Sequence, residues 1–388
     1  MTIAFSIAVL YAVSVYAVVN VPLTRLNRQG PYLKGSLDAD RARALHMKNR
    51  AVGSQPTVPA TNLASHYTTN VGIGNPPTYY NLIVDTGSSN TFCGTGTKYV
   101  RTKTSIPTGQ NLSVPYGSAN LEGIEYLDQV TLAPNLVITN QSIGDALSYS
   151  GIQDVDGAIG LGPVGLTNGT LSPDDNATIP TVMNNAASQG LIEHQVLGVF
   201  FAPANSENDT NGALTYGGDD PSMYIPPVIF SPVTATSPAT LFWGVNVTNA
   251  IYGNKTVIPQ STAGIVDTGS TLVILADDFF AIYVNSIPGA NFDNNLGLLE
   301  IPKSSIPKMK PLIFFISGHS FIMDVAAQLI PADQNEFWGG DASKRYGVLA
   351  NLGSNSGGGF DFVLGQKFLE RYYSIYDADN NRIGLAST

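Results

Sequence analysis

The sequence predicts an all-β chain folded into two lobes. Its 388 residues are enough for about two domains. Glycine and proline are frequent, at 39 and 24 residues, and only 12% of the side chains are charged, which is typical of many short strands joined by tight turns. The hexapeptide Ile-Val-Asp-Thr-Gly-Ser occurs at residues 83–88 and again, letter for letter, at residues 265–270. One copy in each half indicates two related lobes.

Short apolar or alternating runs separated by Gly, Pro and Asn begin at residue 67 and predict strands. These runs are residues 67–73, 80–84, 129–132, 136–138, 196–201 and 214–216. Helical patterns are few, and the best candidates are residues 181–188, 277–285 and 365–372. A second repeated pattern, the glycine echo, supports duplication. Downstream of each hexapeptide an apolar run ends in a glycine, at residues 156–160 and 361–365.

The N-terminus predicts a signal peptide over residues 1–17. Residues 2–19 are almost continuously apolar, and Val15-Tyr16-Ala17 resembles a small-residue cleavage site. No basic side chain precedes the apolar stretch, so an uncleaved membrane anchor is the alternative, although the stretch is short for a membrane span.

Seven Asn-x-Ser/Thr sequons fit an exported, partly glycosylated surface. They begin at Asn111, Asn140, Asn168, Asn176, Asn208, Asn246 and Asn254. We therefore expect a secreted, extracellular monomer, with the vacuole as the alternative location and no membrane contact after signal cleavage.

Residues 18–50 form a basic leader on an acidic body. They contain seven basic and two acidic residues, a charge of +5, and since the whole chain carries −10, residues 51–388 carry −15. Such a leader should dock by charge at neutral pH and loosen when the body's carboxylates protonate. We interpret it as a pro-segment cut near Arg50, which is the chain's own partner before activation; the alternative is a disordered basic tail. The body divides into lobes at residues 51–225 and 226–388, each with one hexapeptide.

Several classes of function are disfavoured. With 19 basic residues against 29 acidic ones, few side chains can neutralise phosphates, so no nucleic-acid partner is expected. No metal or other cofactor is expected either, because the four histidines are scattered without an i, i+4 pair. The single cysteine, Cys93, rules out an intrachain disulfide, and its apolar context favours packing over nucleophilic chemistry.

Asp85 and Asp267, one in each hexapeptide, are the candidate catalytic residues. Two carboxylates within hydrogen-bond reach cannot both ionise easily, so they share a proton over an acidic range. The ionised partner can activate a water that attacks a peptide carbonyl, while the protonated partner donates to the carbonyl oxygen. Glycosidases also pair two carboxylates, but there the two surroundings normally differ, whereas here they are near-identical.

The neighbours of both aspartates suit this chemistry. The glycine lets the backbone turn tightly, the threonine can bond to its counterpart across a pseudo-two-fold axis, and the serine can donate to the outer carboxylate oxygen. These supporting residues are Thr86, Gly87 and Ser88 in the first copy and Thr268, Gly269 and Ser270 in the second.

These motifs resemble those of the pepsin-type aspartic peptidases, and among them the basidiomycete polyporopepsin group. The resemblance runs over residues 51–388, and residues 21–25 look like the start of the family's pro-segment. It implies a bilobal pepsin-like fold with a cleft between two pseudo-symmetric β lobes and both aspartates at its floor. It also implies a secreted, pepstatin-sensitive fungal zymogen that cuts protein and peptide substrates between bulky apolar residues.

The resemblance further implies a β-hairpin flap over the cleft at residues 114–123. Tyr116 would pack on substrate, and Gly117 and Ser118 would supply main-chain and hydroxyl contacts. An acidic residue at the position of Ser118 would favour substrates with lysine at the cleaved bond. Because this position holds a serine, a preference for lysine is not expected.

Two residues depart from the family pattern. Phe92 stands where the family usually has a tryptophan, and Ala119 replaces the usual flap glycine. Phenylalanine has no donor to steady the flap tyrosine, so we expect a looser flap and weaker turnover. The alternative to an enzyme is a catalytically silent binding protein on the same fold; both aspartates and both turn glycines are nevertheless intact.

Overall fold

The structure is a computed structural model that describes residues 18–25, 30–31, 33–49, 67–116, 119–150, 152, 154–203 and 211–388. Over these residues the fold is predominantly β, as predicted, with 25 strands and four short α-helices. The predicted signal peptide, the expected cut near Arg50 and the sequon at Asn208 lie outside the described residues. Among those described, no helix is long and apolar enough to cross a membrane.

The strands, in chain order, are β1 Val19–Arg25, β2 Tyr67–Ile73, β3 Thr78–Asp85, β4 Phe92–Cys93, β5 Ile106–Tyr116, β6 Ala119–Ala133, β7 Leu136–Ser150, β8 Gly157–Gly160, β9 Leu171–Ser172, β10 Val196–Phe200, β11 Gly212–Tyr216, β12 Ile225–Pro232, β13 Gly244–Tyr252, β14 Lys255–Ile258, β15 Thr262–Val266, β16 Val273–Leu275, β17 Asn291–Asp293, β18 Leu298–Glu300, β19 Leu312–Ile316, β20 His319–Met323, β21 Tyr346–Gly347, β22 Leu349–Asn351, β23 Phe362–Leu364, β24 Tyr372–Asp377 and β25 Arg382–Ser387. The helices are α1 Ser36–Asn49, α2 Val182–Ser188, α3 Asp277–Asn285 and α4 Gln366–Leu369.

The described strands form three sheets. The largest runs β12-β25-β24-β10-β11-β1-β2-β3-β8-β4-β7-β6-β5-β9. The second runs β20-β19-β13-β15-β23-β16-β22, with β14 paired to β13, and the third is β17-β18-β21. Strands from the end of the chain (β24 and β25) thus complete a sheet begun in the first half, so the proposed lobe division at residue 225 cuts across one sheet and stays a prediction.

The two halves repeat one arrangement of four strands. In the first half β3 runs parallel to β8, β8 antiparallel to β4, and β4 parallel to β7. In the second half β15 runs parallel to β23, β23 antiparallel to β16, and β16 parallel to β22. The pairings agree in order and direction, which confirms the duplication inferred from the repeated hexapeptide and its downstream echo.

Glycine ends the echo in both halves because the backbones approach closely there. A Cβ atom on Gly160 would lie 2.3 Å from the carbonyl carbon of Ser89, and one on Gly365 would lie 2.3 Å from the carbonyl oxygen of Leu272. Either clash lies in the loop that follows an aspartate. These two glycines therefore let a neighbouring strand end pack directly against each aspartate turn.

The predicted strands all lie in observed strands, although residue 201 falls just outside β10. The predicted helix at residues 277–285 is confirmed as α3, and that at 181–188 as α2 with Thr181 as its N-cap. The predicted helix at residues 365–372 is wrong beyond Leu369. Tyr372 already starts β24, because its run of aromatic and β-branched residues is buried and paired on both edges.

The leader is part of the fold. Strand β1 lies between β11 and β2 in the largest sheet and buries Val19, Val21 and Leu23. Helix α1 follows and buries one side against the body. The leader therefore docks by strand pairing and apolar burial as well as by charge. Helix α1 was not predicted from the sequence.

Candidate active site

The repeat places both aspartates at the end of a buried strand. Asp85 is the last residue of β3 and Asp267 follows directly after β15. The carbonyl of Asp85 accepts from Leu161 N at 2.8 Å, while Asp267 N donates to Leu364 O at 3.1 Å. Both aspartates are fully buried. A backbone hydrogen bond to Leu161, directly after β8, or to Leu364, at the end of β23, thus holds each candidate residue beside its glycine echo.

Each carboxylate has the same two donors from its own turn. The inner oxygen, Oδ1, accepts the backbone N–H two residues on, and the outer oxygen, Oδ2, accepts the serine hydroxyl three residues on. The distances are 2.9 Å for Gly87 N to Asp85 Oδ1, 2.5 Å for Ser88 Oγ to Asp85 Oδ2, 3.0 Å for Gly269 N to Asp267 Oδ1 and 2.6 Å for Ser270 Oγ to Asp267 Oδ2. These paired donors fix the plane of each carboxyl group.

Thr86 and Thr268 join the two turns. Thr86 N donates to Thr268 Oγ1 at 2.9 Å, and Thr268 N donates to Thr86 Oγ1 at 3.0 Å. The Thr268 hydroxyl also donates to Val84 O at 2.9 Å. Both threonines are fully buried. This reciprocal pair holds the loops of the two halves in one relative position.

The turn glycines bring each backbone against the opposite carboxylate. A Cβ on Gly87 would lie 2.6 Å from Asp267 Oδ1, and a Cβ on Gly269 would lie 2.6 Å from Asp85 Oδ1. Any side chain at either position would push the two carboxylates apart. The structure thus brings together all eight of the aspartates and supporting residues proposed from the hexapeptides.

Arg43, on helix α1 of the leader, occupies the space between the carboxylates. Its Nε donates to Asp267 Oδ2 at 2.8 Å, and its Nη2 donates to Asp267 Oδ1 at 3.1 Å and to Asp85 Oδ1. The arginine side chain is only 9% exposed. A charge-assisted fork of this kind binds strongly, and it takes the place that a substrate carbonyl or a bound water would need.

Arg43 stabilises the ionised form of Asp267. Burial by itself would raise the pKa of Asp267, but the Arg43 charge and hydrogen bonds, together with those of Ser270 and Gly269, outweigh it and lower that pKa below its ordinary value. Burial likewise opposes charge on Arg43, yet the carboxylates of Asp267 and Asp85 raise its pKa above the ordinary arginine value. With Arg43 in place, both carboxylates are bound by one guanidinium in a closed ion cluster.

Asp40, also on α1, is a second buried leader residue at the site. Its carboxylate accepts from Thr271 N at 3.1 Å and from Leu272 N at 2.8 Å, just beyond the second hexapeptide. Burial raises the pKa of Asp40 to about 7, although the two backbone donors and Arg43 act in the opposite direction. The leader therefore binds the site with one cation and one carboxyl.

Sequence reasoning did not single out Arg43 or Asp40. Arg43 was one of seven bases in the leader, and nothing in its spacing set it apart. A helix signal was nevertheless present, with Ser36 and Asp38 at the start, alanines inside and Lys48 in the last turn. Had this helix been predicted, its register would have indicated which of its side chains face the body.

The predicted flap is only partly described. Strands β5 and β6 pair from residue 106 to Tyr116, which is opposite Ala119 in the backbone register. Residues 117 and 118, and the side chains of Tyr116 and Ala119, lie outside the described structure, so their proposed substrate contacts stay predictions. Phe92 is buried in an apolar cluster with flap-strand residues such as Leu112 and Val114.

The remaining sequence predictions fall on the surface or in the core. All six described sequon asparagines are exposed: Asn111, Asn140, Asn168, Asn176, Asn246 and Asn254. Cys93 is buried, and burial raises the pKa of its thiol well above the ordinary value, in keeping with a packing role.

Known proteins resemble this chain along most of its length. The family model for eukaryotic aspartyl proteases matches residues 66–388. Polyporopepsin of Irpex lacteus is 49% identical over 332 residues, which cover 86% of this chain and 97% of that protein. Gastricsin of Cavia porcellus is 28% identical, covering 85% of this chain and 82% of that protein. The crystal structure of an aspartic proteinase from Irpex lacteus matches with a TM-score of 0.83 and 43% identity, covering 96% of this chain and 98% of that one.

Proposed function

Because the chain belongs to the eukaryotic aspartyl protease family and is an aspartic endopeptidase, we propose that Asp85 and Asp267 are its catalytic dyad. The matched donor sets of the two buried carboxylates carry this proposal. One nitrogen, Nη2 of Arg43, hydrogen-bonds to both inner oxygens. A single water at that place would therefore be within reach of both carboxylates.

The dyad acts once the arginine has left. The two carboxylates then face each other without a counter-charge and take up one proton between them. The ionised partner accepts a proton from the bound water, whose oxygen attacks the peptide carbonyl carbon, while the protonated partner donates to the carbonyl oxygen. The tetrahedral intermediate collapses when the dyad protonates the amine, and the C–N bond breaks. No covalent bond to the protein forms, and no cofactor takes part.

The full chain is the inactive precursor, and residues 18–50 are its pro-segment. Support comes from Arg43, which pairs with both carboxylates and fills the place proposed for the catalytic water. Strand β1, which precedes this arginine in the chain, pairs with β11, and helix α1 carries the arginine itself. Cleavage near Arg50 would free the cleft.

Acid releases the leader by protonating the carboxylate of Asp267, which binds Arg43. The pKa of Asp267 is lowered in the docked state, so the bond to Arg43 stabilises docking above the ordinary carboxyl pKa. That stabilisation is lost as the pH falls through the lowered value. Protonation of the acidic body, which carries −15, weakens its attraction for the +5 leader in the same direction.

The cleft suits bulky apolar side chains beside the cleaved bond. Next to Gly87 a small pocket is lined by Val114, Leu166 and Phe242 of the body and by Met47 of the leader. Removal of the leader would widen this partly apolar recess beside Gly87, and an aliphatic or aromatic substrate side chain could then fill it. This supports the substrate preference inferred from the family resemblance.

Secretion and glycosylation belong to the same proposal. The apolar stretch before residue 18 and the exposed asparagines of six sequons support export and partial glycosylation. An extracellular or vacuolar compartment that is acidic would provide the pH at which the leader leaves and the dyad shares its proton.

Asp85→Asn and Asp267→Asn test the proposed dyad. Asparagine keeps the size of the side chain but cannot ionise, so each change should lower kcat/KM on a peptide substrate by about 10³-fold or more. An added peptidase should remove the leader from all proteins, so that processing is equal. Asp278→Asn, an exposed carboxylate that accepts from Ser356, is the matched control and should keep wild-type activity.

Activity retained by either dyad variant would overturn the assignment. A folded, processed wild-type chain that cleaves no protein would instead favour the catalytically silent binding protein.

A further inference from the structure

A second leader arginine lies in a separate binding site on the body. Arg41 Nε donates to Asn351 O at 2.8 Å, and its Nη2 donates to Asn351 Oδ1. The guanidinium carbon lies 5.4 Å from the centre of the Phe292 ring, over its face. One planar cation is thus held by two oxygens and one aromatic face, which is how proteins recognise arginine.

The body holds this site in shape without help from the leader. Asn351 ends strand β22, and its Nδ2 donates to Asp277 Oδ1 at 3.1 Å. The same Asp277 oxygen accepts from Gly353 N at 2.7 Å. Asp277 starts helix α3, and its charge acts on the Arg41 guanidinium. The acceptors therefore remain oriented, and one carboxylate remains nearby, when Arg41 leaves.

Helix α1 carries both Arg41 and Arg43, which places this site near the dyad. Arg41 and Arg43 are two residues apart on α1, so their side chains leave the helix about 200° apart and their tips lie roughly 10–15 Å from each other. An extended peptide advances about 3.3 Å per residue. A substrate bound at the dyad would reach the site with a residue about three to five positions from the cleaved bond.

We propose that Asn351, Asp277 and Phe292 form a subsite of the mature enzyme for a basic substrate side chain, arginine above all. The inference rests on the proposed endopeptidase function and adds a specificity to it. In the proposed precursor the leader's Arg41 fills this subsite. Arginine is favoured over lysine because two of its nitrogens and its flat face are each engaged.

Paired peptides test the subsite. Each pair shares one cleavable apolar bond and differs only in arginine or citrulline, its neutral isostere, at a single position from three to five residues away on either side. The acid-treated full chain should cleave the arginine peptide with about tenfold higher kcat/KM at one position. At the other positions the ratio should stay near one.

Variants of Asn351 and Phe292 test whether these residues cause the preference for arginine over citrulline. Asn351→Ala and Phe292→Leu should each bring the arginine-to-citrulline ratio at the preferred position down to about threefold or less. Asp278→Asn, a neighbouring carboxylate on the same helix that does not touch Arg41, should keep the wild-type ratio. Because the readout is a ratio within each protein, a general loss of activity in one variant does not affect it, and the second variant covers a failure of the first to fold.

The outcomes separate the two proposals. No cleavage of either peptide by the wild type would overturn the endopeptidase function itself. Cleavage with a ratio near one at every position would leave that function standing and overturn the subsite. A ratio raised equally at all positions, or unchanged in both variants, would show only the general attraction of an acidic body for a basic peptide and would also overturn it.

Discussion

Arg43 forms a two-point ion pair with Asp267, through Nε to Oδ2 at 2.8 Å and Nη2 to Oδ1 at 3.1 Å. The pair joins residues 224 positions apart in the chain, one in the leader and one in the second hexapeptide. The same Nη2 also donates to Asp85. In the proposed precursor, Arg43 therefore closes the site at the carboxylates of the proposed dyad, and the conditions that open it can be predicted from this contact.

Arg43→Met should release the leader at a higher pH than the wild type requires. Without the guanidinium, the two buried carboxylates lose a partner worth about 3–5 kcal/mol and relieve their repulsion by taking up a proton. We expect the onset of leader release to move up by about one pH unit. The measurement is the released fragment, quantified by mass spectrometry after incubation at a series of pH values.

Lys48→Met is the control for the Arg43 change, because Lys48 reaches only Ser354 Oγ, at 2.9 Å, from the same helix. It should shift the onset much less. Equal shifts in the two variants would mean that the leader is held by general charge and not by the dyad contact.

Asp40→Asn should flatten the pH dependence of precursor stability near neutrality. Burial raises the pKa of Asp40 from 3.8 to about 7. A raised folded pKa gives stability that is fully present below the ordinary value and is lost as the pH rises through about 7. Asparagine stays neutral at all pH values, so this loss should disappear.

The Tm of wild type and Asp40→Asn, measured from pH 5 to pH 8, checks this prediction. The wild type should fall relative to the variant toward pH 8, since all other groups are common to both. Parallel curves would mean that Asp40 does not change its protonation in this range.

Thr268→Val should weaken both stability and catalysis. The change removes Oγ1, which leaves the buried Thr86 N–H and Val84 carbonyl without the partners they have at 2.9 Å. Each lost bond costs about 1–3 kcal/mol, and misplacement of the dyad should lower kcat/KM by about tenfold to a hundredfold. Thermal unfolding and peptide kinetics measure the two effects.

Thr268→Ser keeps the hydroxyl and should lie close to the wild type in both measurements. If the serine variant lost as much as the valine variant, the hydroxyl bridge could not account for the effect.

Tyr116→Ala should lower kcat/KM by about tenfold with little change in Tm. Tyr116 ends strand β5 at the tip of the β5–β6 hairpin, where the proposed flap closes over substrate. Tyr116→Phe is the matched control that keeps the ring. An unchanged kcat/KM in the alanine variant would remove Tyr116 from the site.

The sequence predicts the dyad and its scaffold because that information is local and repeated. The repeated hexapeptide identifies Asp85 and Asp267, and the glycine echo identifies Gly160 and Gly365. At both glycines the backbone of a neighbouring loop approaches closely. A helix assigned past Leu369 failed because β24, which begins at Tyr372, pairs with β25 along its length and with distant β10 from Ser374 onward. This pairing overrides the local preference.

The leader contacts could not be predicted in the same way. Arg43, Asp40 and Arg41 each bind residues more than 200 positions away, and seven similar bases in residues 18–50 give no local sign of which one meets the dyad. Charge alone predicted that the leader docks. The helix and its register decide which side chain enters the cleft, and these depend on the folded body.

The measurement that tests the central claim most directly is casein cleavage by the full chain, before and after acid treatment, with and without pepstatin. We predict no cleavage before treatment, while Arg43 occupies the dyad. After treatment we predict cleavage that is greatest in acid and is blocked by pepstatin. Cleavage that needs no leader release, or that pepstatin leaves unchanged, would contradict a two-aspartate site closed by Arg43.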